Sequence, residues 1–408
     1  MQFAGATFGD RRSPPALITL ILLTSVSVFS MNAFIASLPT IADDLGSSYA
    51  FMQIAVSGYL GMTAVMQLMI GPLSDRYGRR PVILLGLGVF IAASIGCVLS
   101  TDPEIFMFFR MLQASVAAGM VLSRTIVRDL LPPDEAASMI GYMTAAMSLV
   151  PMISPLYGGA VEEALGWRAT FWSFVIFGGV VMTLCWLDLG ETHLNRSRSL
   201  TAQFRAYPDL LRARRFWGYS ATAAFASGSF FALLGGGPYV AREIFAQTPA
   251  ATGLYLGTTA IGYMTGNLIT GRVAARTGID RLMLWGCLIS VAGLSAGLLV
   301  DLFIYQHPLV VFGFCIFVGL GNGLTMPAAT TGLLSVRPGL AGSASGLGAA
   351  LMIGGGAGLA AVAGWILSPT SGASPLLALM LVSALLSVGS TSYVIHRARM
   401  MSADQPAE

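Results

Sequence analysis

Long apolar runs, separated by short charged interruptions, set the plan of this chain. Stretches without Asp, Glu, Lys or Arg cover 13–42, 45–74, 81–101, 136–161, 169–187, 216–241, 244–271, 282–300 and 302–336. A further run after Glu104 is broken by Arg110 before it reaches Arg124. A helix that crosses a bilayer needs about 20 apolar residues, so each run reads as one span. The 59 residues from Pro338 to His396 hold none of the four charged residue types. As a single helix they would reach about 88 Å at 1.5 Å per residue, far beyond a bilayer. Pro369, Ser371, Gly372 and Pro375 supply a turn that divides them. The pattern predicts an all-α membrane protein of twelve transmembrane helices.

The loops between the runs carry the orientation. Alternate connections collect Arg11 and Arg12, Arg76, Arg79 and Arg80, Arg124 and Arg128, six arginines from Arg196 to Arg215, Arg272, Arg276 and Arg281, Arg337, and Arg397 and Arg399. That places 19 of the 22 basic residues on one side, and basic loops stay in the cytoplasm. Both termini are therefore expected inside, on the cytoplasmic face of the membrane. The longest polar segment lies mid-chain and suggests an N-terminal six-helix bundle (1–190), a cytoplasmic linker (191–215) and a C-terminal six-helix bundle (216–408). In the linker, Leu200, Phe204, Tyr207 and Leu211 recur at helical spacing with Arg205, Arg212 and Arg214 off the stripe, the pattern of an amphipathic helix on a membrane surface. An internal echo supports two halves. Gly271-Arg272-Val273-Ala274-Ala275-Arg276-Thr277-Gly278 follows the eighth run as Gly71 to Gly78 follows the second, 200 residues on. Repeated halves of this kind place a transport site between them, near the bilayer midplane.

Composition agrees with the pattern. The chain is 55% hydrophobic and 10% charged, against about 25% charged in soluble domains. Its net charge of +3 comes entirely from arginine over acid, since lysine is absent, and its distribution follows topology rather than a nucleic-acid-binding patch. Cys97, Cys185, Cys287 and Cys315 each sit inside an apolar run, and His193, His307 and His396 are scattered, so no metal site is expected. Gly346-x-Gly348 has Leu351 where a dinucleotide fingerprint needs glycine, and no P-loop is present. Neither an enzyme nor a bound cofactor is expected.

The densest charge cluster is Gly71-Pro72-Leu73-Ser74-Asp75-Arg76-Tyr77-Gly78-Arg79-Arg80. It is similar to the loop motif of the major facilitator superfamily. Arg110-Met111-Leu112-Gln113 resembles that family's fourth-span motif, and Pro151-x-x-x-Pro155-x-x-Gly158-Gly159 its fifth-span antiporter motif. Leu38-Pro39-x-Ile41-Ala42, Val127-Arg128-Asp129, Gly166-Trp167-Arg168 and Glu191-Thr192 look like the Bcr/CflA group of drug-resistance exporters. The resemblance covers about residues 16–396. It implies two pseudo-symmetric six-helix bundles that alternate access to a small-molecule substrate, with protons as counter-ions, in a monomer embedded in the lipid bilayer.

The resemblance also assigns roles. Asp75 is expected to cap the eleventh span near 340–343, favoured by the helix dipole, while Arg79 pairs with Asp129. With Gly71, Arg76, Gly78 and Arg80 they form a conformational latch. Pro151 and Pro155 remove backbone donors and bend the fifth span, and Gly158 and Gly159 leave a smooth face. Gly253/Gly257 and Gly262/Gly266 are an expected opposing face. A charge within a span is functional by default, so Arg110 is expected at the cavity with Asn32, Gln113 and Asn322. Gln67, Asn267, Met31, Phe34, Met143, Phe230 and Phe231 are further candidate lining residues. Many relatives carry an acid in the first span; here Asn32 occupies that stretch and cannot titrate. The leading expectation is an exporter of small, mostly hydrophobic compounds. The alternatives are a carrier of a defined metabolite, one held as an anion by Arg110 and not proton-coupled through the first span, and a non-transporting scaffold.

Overall fold

The computed structural model describes residues 8–9, 11, 13–131, 139–140, 143, 147, 150–192, 207–337, 341–368, 370 and 372–403. Among the described residues the chain is helical, with no strand. The first span is α1 (Leu17–Asn32), a 3₁₀ turn at Ile35–Ser37 and α2 (Leu38–Asp44). It is followed by α3 (Tyr49–Met52), α4 (Ile54–Tyr77) and α5 (Arg79–Leu99). The fourth span is α6 (Pro103–Leu112), a 3₁₀ turn at Gln113–Val116 and α7 (Ala117–Leu130). Then come α8 (Val150–Leu165), α9 (Trp167–Asp188), α10 (Tyr207–Arg212) and α11 (Arg214–Tyr239), the last running into a π turn at Val240–Ile244. The chain closes with α12 (Pro249–Thr277), α13 (Ile279–Phe303), α14 (Pro308–Ser335), α15 (Ala341–Ile366) and α16 (Ser374–Ala403). Nine stretches among the described residues are long and apolar enough to cross a membrane. α11 and α12 have the length, 26 and 29 residues, but are rich in small and hydroxylated side chains. Leu200, Phe204 and Arg205 of the expected amphipathic segment lie outside the described residues.

Two helices of each echo copy meet at a single glycine. Gly78 joins α4 to α5 with φ 99° and ψ 155°, and Gly278 joins α12 to α13 with φ 79° and ψ 153°. Gly166 makes the same joint between α8 and α9, with φ 82° and ψ 162°. That backbone region is open essentially to glycine alone, which is why the chain stops one helix and starts the next without a loop.

The chain divides into two compact units. The first comprises Met1–Ala202 with Thr248–Gly253. In it α1 packs against α7, α8 and α9, and α5 against α6, α7 and α9. Phe106, Trp167, Phe171 and Phe174 meet edge to face with centroids 5.2–5.8 Å apart, the arrangement aromatic quadrupoles prefer. The second unit comprises Gln203–Gln247 with Leu254–Glu408. Its centre is α11, packed on α14, α15 and α16. There α12 lies on α14 through glycine: a Cβ on Gly262 or Gly266 would overlap the carbonyls of Ile316 or Leu320, and one on Gly319 that of Thr259. Gly262 and Gly266 therefore serve packing inside this unit rather than a face for the fifth span. Close backbone approach of this kind replaces hydrophobic driving force between helices in lipid. The four cysteines are free and buried.

Candidate functional site

The charged cluster around Gly78 is assembled from five helix ends of the first unit. Arg79 opens α5, and its guanidinium turns back towards the end of α4. Nη1 donates to Asp75 Oδ1 at 2.5 Å and to the Ser74 hydroxyl, while Nε donates to Asp129 Oδ2 at 3.2 Å. Asp129, at the end of α7, also accepts from the Thr192 hydroxyl at 3.3 Å. The Arg79 side chain is 7% exposed and the two carboxylates 20% and 23%. The pairs are thus half-shielded from water, where charge-assisted hydrogen bonds are stronger than on an open surface.

The beginnings of α5 and α1 lack cap side chains of their own, because Gly78 and Ala16 occupy those positions. Caps come from the end of α9 instead. Glu191 Oε1 accepts the Arg79 backbone N–H at 2.9 Å. Asp188 Oδ2 accepts the Ala16 N–H at 2.8 Å and the Thr19 hydroxyl at 2.6 Å, and Oδ1 accepts the Gly9 N–H at 3.1 Å. Each carboxylate also meets the positive end of a helix dipole. Arg80 donates to the Trp186 carbonyl at 3.1 Å, and the Arg11 guanidinium lies 4.5 Å over the Trp186 ring. Arg76 stands beside Tyr77, 5.3 Å from its ring. Gly71 has open space where a Cβ would sit. Sequence reasoning found Glu191 only as part of a resemblance and missed Asp188. The available signal was two helix starts without Ser, Thr, Asp or Asn.

The second cluster surrounds Arg110, which is completely buried. It neither snorkels to an interface nor faces an open cavity in this structure; protein groups enclose it. Nε donates to the Ala55 carbonyl at 3.3 Å, Nη2 to the Ser30 carbonyl at 3.1 Å and Nη1 to Gln113 Oε1 at 2.5 Å. The Phe34 and Tyr59 rings each lie 3.9 Å from the guanidinium carbon, a contact worth about 2 kcal/mol or more when desolvated. Gln113 passes the network on to Ser94 at 2.8 Å, and Tyr59 shares a 3.0 Å hydrogen bond with Ser30. No carboxylate pairs with Arg110 among the described residues. Asn32 is buried near the end of α1; its amide donates to the Val28 carbonyl at 2.7 Å, and its Oδ1 has no partner among the described residues. In the second unit Asn322 is likewise buried with an unpartnered Oδ1.

Pro155 lies inside α8, one turn after Pro151. A Cβ on Gly158 would overlap the Ala33 carbonyl, one on Gly159 the Pro249 carbonyl, and one on Gly253 the Pro155 carbonyl. Glu163 accepts the Ala250 N–H at 3.2 Å. At the other end of α1 and α2, Arg168 pairs with Asp44 at 2.6 Å, and Trp167 donates to the same carboxylate at 3.1 Å.

A family model described as Major Facilitator Superfamily matches residues 20–361. A chloramphenicol resistance protein of Pseudomonas aeruginosa is 30% identical over 324 residues, covering 78% of this chain and 76% of its own. An uncharacterized MFS-type transporter of Bacillus subtilis (strain 168), YdgK, is 28% identical over 91% of this chain and 92% of its own. A bicyclomycin resistance protein homolog of Haemophilus influenzae is 26% identical over 81% and 84%. A bacterial homolog of the human lysosomal transporter Spinster, solved inward-facing and unoccupied, shares the fold with a TM-score of 0.69 over 96% of this chain and 98% of its own, at 16% identity.

Proposed function

This chain belongs to the Major Facilitator Superfamily, and on that premise we propose that it exports small, mostly hydrophobic compounds across the cytoplasmic membrane by alternating access, in exchange for protons. The observation that carries the reading is the likeness, over most of both chains, to a relative named for chloramphenicol resistance. A superfamily member is a transporter and not an enzyme, so the chemistry to explain is selection and switching. Selection follows from charge. Asn32 offers an amide where a carboxylate would attract cations, and Arg110 adds a positive field with no acid paired to it among the described residues. Such a field favours uncharged compounds over cations, and Asn32 in the first unit and Asn322 in the second each keep a buried carbonyl oxygen, unpartnered among the described residues, for a compound's hydrogen-bond donor. Switching is assigned to the Asp75–Arg79–Asp129 cluster with Gly71, Gly78, Arg76 and Arg80, and to the bend at Pro151 and Pro155 with Gly158 and Gly159 against it. In this reading the protein acts as a monomer with both termini inside.

One observation favours a second reading. Among the described residues Arg110 has no acidic partner, and an anionic metabolite would supply one. Purified protein in liposomes separates the two. Chloramphenicol flux that rises with an imposed inward proton gradient supports drug–proton exchange. Flux that ignores the gradient, together with inhibition by organic anions, favours the metabolite carrier.

A further inference from the structure

The proposed exchange needs a group that binds and releases a proton, and the first span carries acids only at its very end, Asp43 and Asp44, with Asn32 in its interior. Most acids of the described chain are committed elsewhere. Asp75 and Asp129 pair with Arg79, Asp44 pairs with Arg168, and Asp188 accepts three hydrogen bonds. Asp301 differs. It lies two residues before the end of α13, it is 2% exposed, and neither of its oxygens has a partner among the described residues. Removing an ionised carboxylate from water without a partner is strongly unfavourable, and one bound proton abolishes the charge.

Resting on the exchange reading above, we propose that Asp301 is where this exporter takes up its proton. The carboxylate binds one proton from the adjoining aqueous phase to become a neutral carboxylic acid, and gives the same proton up when the transporter turns. No electron changes hands and no other bond breaks. The surroundings favour a proton over a metal ion. No three of His, Cys, Asp and Glu among the described residues gather as a metal site. Asp301 sits one turn beyond Gly297, whose Cβ would meet Phe314, so it shares the face that α13 presents to α14. On α14 the sole titratable group is Cys315, which donates to the Val311 carbonyl. On α16, which also packs against α13, Tyr393, His396, Arg397 and Arg399 all belong to the far end of the helix. The connection after α13 brings Tyr305 and His307, stacked 5.4 Å apart, with His307 Nδ1 accepting from the Leu309 N–H. The exposed Phe303, Ile304 and Tyr305 mark how close Asp301 lies to the end of its helix.

The first test uses the wild-type protein in liposomes treated with dicyclohexylcarbodiimide, which modifies protonated carboxyl groups in apolar surroundings. Peptide mass spectrometry is expected to find the adduct on Asp301, decreasing as pH rises. An unmodified Asp301 at every pH overturns the proposal. The second test compares wild type with Asp301→Asn. Accumulation of chloramphenicol driven by an imposed proton gradient is expected to fall at least tenfold, while counterflow exchange without a gradient stays within twofold. Gradient-driven accumulation at the wild-type rate in Asp301→Asn overturns this assignment and leaves the exchange reading standing. A wild-type protein indifferent to the gradient overturns the exchange reading itself.

Discussion

Gly78 and Gly278 hold the same backbone shape in different surroundings. A Cβ on Gly78 would collide with the Glu191 carboxylate, whereas the space at Gly278 is empty. Alanine at either joint should destabilise the protein by about 1–3 kcal/mol through backbone strain. Gly78→Ala should lose more, because it also displaces Glu191 from the Arg79 N–H. Thermal unfolding of both variants in detergent checks the difference, and equal losses would remove Glu191 from the account. Arg110 gives a second residue-scale prediction. Its flat fork reaches two carbonyls on different helices and one amide, which an ammonium cannot reproduce. Arg110→Lys should lose about 1.5–3 kcal/mol for each charge-assisted bond not remade. It should also abolish most transport, read as a lower unfolding temperature together with lost drug export in cells.

Helices were largely legible as gaps between charges. Every predicted span corresponds to a helix, although 136–149 of the fifth is described only in part. The spans that contain breaks were less legible. Ile35–Ser37 and Gln113–Val116 are 3₁₀ turns. The first precedes Pro39, whose missing N–H cannot continue the helix back to Ile35, whereas no proline or glycine marks the second, where Gln113 joins the Arg110 network. The same limit applies to caps. Asp188 looks like the charged end of an apolar run, and only the return of the chain under α9 makes it the cap of α1. Replacing it with alanine leaves the buried Ala16 N–H and Thr19 hydroxyl without acceptors, at about 1–3 kcal/mol for each group. Asp188→Ala should therefore unfold at lower temperature and expose the residues before Leu17 to protease, whereas Asp188→Asn should keep part of the cap. Limited proteolysis with N-terminal sequencing follows both.

For the whole molecule, the two copies of the loop motif are unequal. The first has Asp75 with Arg79 and Asp129, and the second has Ala275 where Asp75 would stand. If the charged copy governs switching, Asp75→Asn should leave the unfolding temperature within a few degrees of wild type and slow flux at saturating drug. A mutant that transports at the wild-type rate would remove the latch. Following such switching requires a reporter, and the four buried thiols bear on that choice. Cys97, Cys185, Cys287 and Cys315 are each at most 1% exposed, and the chain contains no lysine. Maleimide and thiol-directed nitroxide reagents therefore find no native thiol at the surface, and amine reagents find no lysine. A pair of introduced surface cysteines, one in each unit, can carry spin labels against a silent background with every native cysteine left in place. Distances between the labels, with and without drug and at two pH values, would then report the working cycle directly.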